Sequence, residues 1–293
     1  MKIEKLLKRY RVQEGRHFRL KDYHPADTHG LKSDMKTQAR ELLLKGVEEL
    51  ARYQDTLAAQ DRWAVLLMFQ AMDAAGKDGT IKHVMSGVNP QGVQVSSFKA
   101  PSAEERDHDY MWRTMKRLPE RGQIGIFNRS YYEEVLVVRV HPEILDSERL
   151  PGPLITKKIW QERFEDINAF ESYLTRNGTV IRKFFLHVSK KEQKRRFLER
   201  LDKAEKNWKF SSADLKEREC WDQYQSAYED MIRHTATKEA PWFVVPADNK
   251  WFTRLIVAAV VVDTLKGLDL RYPELDQKKK AELAEAKRLL GKE

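Results

Sequence analysis

Val65-Leu66-Leu67-Met68-Phe69-Gln70 runs directly into Ala71-Met72-Asp73-Ala74-Ala75-Gly76-Lys77-Asp78-Gly79-Thr80. An apolar run of strand length stops at small, flexible residues, a lysine follows, and a helical pattern begins. This is the layout of a phosphate-cradling loop. Backbone N–H groups and a helix N-terminus face an anion, and the lysine reaches its outer oxygens. The pattern G-x-x-x-x-G-K-[ST] asks for Gly at position 71 and Ser or Thr at position 78, where this chain has Ala71 and Asp78. The missing hydroxyl ordinarily binds Mg²⁺. Carboxylates at Asp73 and Asp78 would repel bare phosphates, so a metal between them is expected. The anion contacts expected from the loop are Ala74, Ala75, Gly76, Lys77, Asp78 and Gly79. A plain Gly-containing turn between a strand and a helix is the bland alternative.

Outward from the loop, short apolar runs alternate with helical patterns. The spacing of Leu43, Val47, Leu50 and Leu57 predicts a helix over 33–60, and another follows the loop over 77–85. Strands are expected at 63–70, 93–98, 124–127, 180–188 and 242–246. Ser102-Ala103-Glu104-Glu105 and Ser189-Lys190-Lys191-Glu192 are capping boxes, the first opening a helix to about 117. Further helices are expected over 154–176, 213–233 and 251–267. This alternation implies an α/β fold with a parallel sheet between helices, and a site beyond the carboxyl ends of the strands. The chain reads as a single domain, 1–293, with an irregular basic and aromatic arm over 1–32, a basic lid over about 190–218, and a helical tail over 274–293.

Three further segments carry chemistry. In Phe127-Asn128-Arg129-Ser130-Tyr131-Tyr132-Glu133-Glu134 a strand delivers Asn128 and Arg129 to its carboxyl end, so Arg129 faces the loop. Arg129 and the later Arg139 offer planar forks for phosphate oxygens, and Glu133 or Glu134 joins Asp73 as a candidate metal ligand. Residues 190–209 hold nine basic residues against four acids, the composition of a lid that closes on phosphates. Arg200 is the candidate arginine of that lid and Lys209 a further phosphate contact. Arg113 and Arg117, with Asn128 and Glu133, are candidates for holding a nucleotide acceptor. Solvated helix faces are the competing reading for both basic stretches.

Composition narrows the partners. The chain has 293 residues, 41% hydrophobic content and seven Trp, which fits a folded protein. A formal charge of +9 favours anionic partners without choosing among them. The single cysteine, Cys220, excludes an intrachain disulfide and fits a reducing compartment. The N-terminus lacks a signal-peptide pattern, and the longest apolar run, 255–262, is far short of the roughly 20 residues that span a bilayer. A cytoplasmic protein with no membrane partner is expected. A nucleic-acid binder driven by charge alone would give no reason for a phosphate loop beside Asn128 and Arg129, so no nucleic-acid partner is expected.

At these residues the chain resembles the second polyphosphate kinase family. The resemblance covers roughly 15–272, and its anchors are MDAAGKDGT, FNRSYYEEVLVVRVH, FFLHVSKKEQKRRFLERL, NWKF and APWFVVPAD. It implies a three-layer phosphate-loop kinase core like that of thymidylate kinase, with a helical lid. It also implies Mg²⁺-dependent, reversible transfer of a terminal phosphoryl group between inorganic polyphosphate and nucleotides. Mn²⁺ is an alternative metal. The chain looks most like single-domain members (class III) acting on nucleoside mono- and diphosphates, with AMP, ADP and guanine nucleotides as expected substrates. By position, Asp73, Lys77, Arg129 and Arg200 would be the catalytic residues, and a homo-oligomer, dimer or tetramer, is implied. Family members often carry Glu-Asp where this chain has Glu133-Glu134. The rival expectation is an ATP-dependent nucleoside monophosphate kinase built on the same core.

Overall fold

Six strands form one sheet: β1 (Arg11–Val12), β2 (Ala64–Gln70), β3 (Val93–Ser97), β4 (Ile124–Asn128), β5 (Thr179–His187) and β6 (Trp242–Pro246). The computed structural model describes residues 3–31, 35–208 and 210–292. The strand order is β1-β6-β5-β2-β4-β3, and only β1 is antiparallel to its neighbour. β2 lies at the centre, paired in parallel with β4 on one side and β5 on the other. All seven of its residues are buried, as expected for a strand covered on both faces. Phe69 therefore lies level with Asn128 of β4 and Phe184 of β5. That register brings the loop after β2 and the segment after β4 to the same edge of the sheet.

Helices cover both faces. Lys36–Gln60 packs along Lys250–Lys266, whose buried face includes Ile256, Val257, Val260 and Val261. Ile159–Arg176 and Trp221–Thr235 cover the opposite side, with Phe164, Ile167, Tyr228 and Met231 in the core. The expected α/β layering with a parallel sheet is what the chain adopts. Among the described residues, no helix is long and apolar enough to cross a membrane.

Three expectations are corrected. The start of the arm is regular: Ile3–Tyr10 is a helix and Arg11–Val12 adds an edge strand to β6, while 13–31 is irregular apart from the 3-10 turn Leu20–Asp22. Leu6, Leu7, Tyr10, Val12, Phe18 and Leu20 bury into the main core, so apolar side chains spaced among basic ones hold this segment in place. The helix expected over 103–117 is broken into Ala103–Arg106 and Trp112–Met115. The Asp109 carboxylate accepts from the Met111 N–H at 2.9 Å, a local bond that competes with helix continuation. The helix expected over 213–233 breaks at Cys220 into Ala213–Glu219 and Trp221–Thr235.

Candidate active site

Small residues after β2 let the backbone fold back tightly. Ala74 has φ +60° and Gly76 φ +105°, both left-handed, and Gly76 then opens the helix Lys77–Val84. The free N–H groups of that helix face the space above the sheet. Lys77 donates to the Ala71 carbonyl at 2.7 Å, which curls the side chain over its own loop. Burial pushes the Lys77 ammonium down from its ordinary value, and Asp73 opposes that shift. A phosphate would supply the missing negative partner.

Arg129 follows β4 in a left-handed conformation, φ +65°, with its N–H bonded to the Phe69 carbonyl of β2 at 3.0 Å. Its guanidinium reaches Asp73 at 3.2 Å and Glu133 at 3.3 Å. Glu133 chiefly holds it above its usual range, against the effect of burial. Burial pushes the Glu133 carboxyl up, with Arg129 and Lys77 opposing. Asn128 donates to the Asp78 carboxylate at 2.7 Å and so ties β4 to the loop helix.

Arg196, on the basic helix Lys190–Asp202, is the clamp of the loop. It is 4% exposed and donates to the carbonyls of Ala74 (3.0 Å), Ala75 (2.6 Å), Ala247 (2.6 Å) and Asp248 (3.2 Å). Glu192, one turn earlier, accepts its Nε–H at 2.7 Å. Gln193 adds a bond to the Asp73 carbonyl at 3.0 Å.

A cavity of about 660 Å³ opens above these groups. Eight cations line it, Lys77, Lys99, Arg129, Arg196, Arg200, Lys206, Lys250 and Arg254, against the carboxylates Asp73, Asp78 and Glu199. That imbalance suits a polyanion. Arg200 reaches the cavity with one long ionic contact, 3.5 Å to Asp214. A second cavity of about 670 Å³ shares Lys99, Ala100 and Arg129 with the first. Its walls are more apolar, with Tyr110, Val137, Val138, Ile144, Leu150 and Ile159, and each cavity is of ligand size.

The structure brings Asp73, Lys77, Asn128, Arg129 and Arg200 together with loop residues Ala74 to Gly79. Arg113 and Glu133 lie on the second cavity, where Arg113 donates to the Lys99 carbonyl at 2.7 Å. Three expected residues are elsewhere. Glu134 is ion-paired with Arg163, which also holds Glu148 at 2.6 Å, so its carboxylate faces the second cavity and not the loop. Arg139 bonds Asp230 at 2.6 Å and lines neither cavity, because a helical turn swings it off the loop side. Arg117 is exposed and also lines neither. Lys209 lies outside the described residues. Sequence reasoning missed Arg196, Lys250 and Arg254. The first was one of nine basic residues in a run, and the other two open an apolar helix whose register over the loop no local pattern signals.

No group of three or more His, Cys, Asp or Glu gathers among the described residues. Mg²⁺ does not need one, since it is commonly held by one or two carboxylates, waters and substrate phosphates. The donor set fits: the Asp73 side chain is 33% exposed beside the loop, facing the cavity.

The family model described as Polyphosphate kinase 2 matches residues 32–273. An ADP-polyphosphate phosphotransferase of Rhodopseudomonas palustris is 54% identical over 260 residues, 88% of this chain and 90% of that one. An AMP/ADP-polyphosphate phosphotransferase of Meiothermus ruber is 46% identical over 268 residues, 92% of this chain and 96% of that one. The crystal structure of polyphosphate kinase 2 from Arthrobacter aurescens superimposes with a TM-score of 0.85 at 39% identity, covering 97% of each chain. With a family model spanning most of its length and relatives this similar, the chain belongs to the polyphosphate kinase 2 family.

Proposed function

We propose that the protein moves the terminal phosphoryl group of inorganic polyphosphate onto nucleoside mono- and diphosphates, and that the reaction runs in both directions. The observation that carries this reading is the pair of cavities meeting at Arg129, one rich in cations over a phosphate loop and the other more apolar and of nucleoside size. Polyphosphate lies in the first and the nucleotide in the second. The terminal phosphate oxygen of the nucleotide attacks the end phosphorus of the chain. One P–O bond forms, the bridging P–O bond breaks, and polyphosphate leaves one unit shorter.

Each residue has a task in this scheme. Lys77 and the loop N–H groups hold the transferring phosphoryl group. Arg129 spans donor and acceptor phosphates, where charge spreads in the transition state. Arg200 comes in from the basic segment after Lys190, acting as a lid that excludes water. Asp73 would hold Mg²⁺ together with phosphate oxygens, and the ion would supply charge neutralisation there. Glu133 keeps Arg129 aimed at the loop. Lys250 and Arg254 extend the cationic wall along the polyphosphate.

The named substrates of the relatives, AMP and ADP with polyphosphate, favour this donor over ATP. Homo-oligomer formation in the cytoplasm is part of the same proposal. Lys77→Ala and Asp73→Ala test the site: each is expected to lose turnover while melting as the wild type does. Wild-type rates in either variant would remove the loop from the chemistry.

A further inference from the structure

Lys183 is a lysine in the middle of β5, level with Met68 of β2 and Trp242 of β6, and its side chain is fully buried. Its ammonium has three protons and three acceptors: Glu171 at 2.6 Å, the Thr235 carbonyl at 2.7 Å and the Tyr132 hydroxyl at 3.0 Å. Glu171, 2% exposed, also accepts from the hydroxyls of Tyr131 at 2.9 Å and Tyr132 at 2.7 Å. Every member of the network is satisfied. A buried ion pair of this kind contributes little net stability over well-packed apolar residues. Its evident product is geometric, because it fixes the ends of two adjacent tyrosines.

Those tyrosines open the 3-10 turn Tyr131–Val135, which begins one residue after Ser130 and carries Glu133. Above them the Gln70 amide, assigned with its nitrogen toward Glu133 because the reverse sets its oxygen against that carboxylate, donates to Glu133 at 2.8 Å and accepts from the Ser130 hydroxyl and N–H at 3.0 and 3.1 Å. Arg129, two residues before this turn, is in a left-handed conformation, which an arginine leaves unless its surroundings hold it. Rings on both sides fill the remaining space, Phe170 at 5.8 Å from Tyr131 and Trp242 at 4.8 Å from Tyr132.

We infer that the buried Lys183–Glu171–Tyr131–Tyr132 network is a positioning device for the reaction, anchoring the turn that sets Arg129 and Glu133 against the phosphate loop. It rests on the phosphoryl-transfer role given to Arg129. None of the four lines the first cavity; Tyr131 is on the wall of the second, but its hydroxyl is turned inward to Glu171, so removing the hydroxyls acts through Arg129 and not by direct contact with the phosphates.

Tyr131→Phe and Tyr132→Phe each remove one hydroxyl and keep the ring. The assay is steady-state phosphoryl transfer from polyphosphate to ADP, well below the lowest melting midpoint, in wild-type and Arg129→Lys backgrounds. In the wild-type background kcat is expected to fall about tenfold with KM for ADP unchanged, as for a slightly misplaced catalytic group. In the Arg129→Lys background the same hydroxyl removals are expected to change kcat by less than about twofold, because the group they position is gone. A lower melting midpoint with unchanged kcat would overturn the inference and make the network purely structural. So would a fall in kcat of the same size in both backgrounds. Full activity of Arg129→Lys alone would instead refute the role of Arg129, and the inference with it.

Discussion

Arg196→Met removes the clamp that ties the phosphate loop to the end of β6. The guanidinium makes five hydrogen bonds, four of them to backbone carbonyls on two different segments. A bond from a charged donor is worth about 1.5–3 kcal/mol, but five bonds from one group do not add. Glu192 keeps a bidentate partner in Arg195 when Arg196 is removed, so the cost lies chiefly in the four carbonyls left without their donor, about 1–3 kcal/mol for each that stays buried. Water entering from the cavity can rescue the Ala74 and Ala75 carbonyls, while Ala247 is fully buried. The expected loss is therefore about 3–5 kcal/mol. At roughly 2–4 °C per kcal/mol the melting midpoint should drop by about 6–20 °C. Turnover measured below that midpoint should fall about 10–100-fold, because the loop N–H groups lose their register. Arg196→Lys should lie between the two, since an ammonium cannot reach both segments. Differential scanning calorimetry and kcat on the same samples decide the matter. A midpoint within about 2 °C of wild type with full activity would refute the clamp.

Arg200→Ala should cut kcat about 10²–10³-fold, the cost of one preorganised charge at the transferring group, while leaving the melting midpoint within about 2 °C because its ion pair with Asp214 is long and partly solvated; a kcat within threefold of wild type would remove it from the chemistry. Lys250→Ala and Arg254→Ala should each raise KM for long polyphosphate severalfold and flatten its dependence on salt, with KM for ADP little changed. Equal effects on both substrates would place these cations elsewhere in the cycle. His187, 7% exposed with Nδ1 unpaired among the described residues, has its imidazole pushed down to about 4 by burial. The unfolded chain then binds the extra proton between about pH 6.5 and 4, so stability falls as pH drops through that window, by about 3 kcal/mol in all. His187→Gln should flatten that loss in urea titrations, and parallel curves for the two proteins would show that His187 is not its source.

Much of the candidate site was legible because it rests on local signals. A buried strand, small residues and a lysine announce the loop, and the strand 124–127 carries Asn128 and Arg129 to the same edge. Glu134 and Arg139 were misplaced because their direction depends on a 3-10 turn followed by a helical turn, whose phase the sequence does not reveal. The helix and strand at the start of the arm are hidden because its apolar residues are interspersed with basic ones, and only the exposed edge of β6 makes a strand of Arg11–Val12. Arg196 was hidden for a different reason. Its role comes from meeting Ala74 and Ala75, more than a hundred residues earlier, across the sheet edge.

The most direct test of the phosphoryl-transfer account is nucleotide production with long-chain polyphosphate and Mg²⁺, no ATP being added, from ADP and separately from AMP. ATP from ADP, and ADP followed by ATP from AMP, is the expected result. No product from either, with turnover appearing when ATP is supplied as donor to AMP, would contradict the account and leave the same loop serving an ordinary nucleotide kinase.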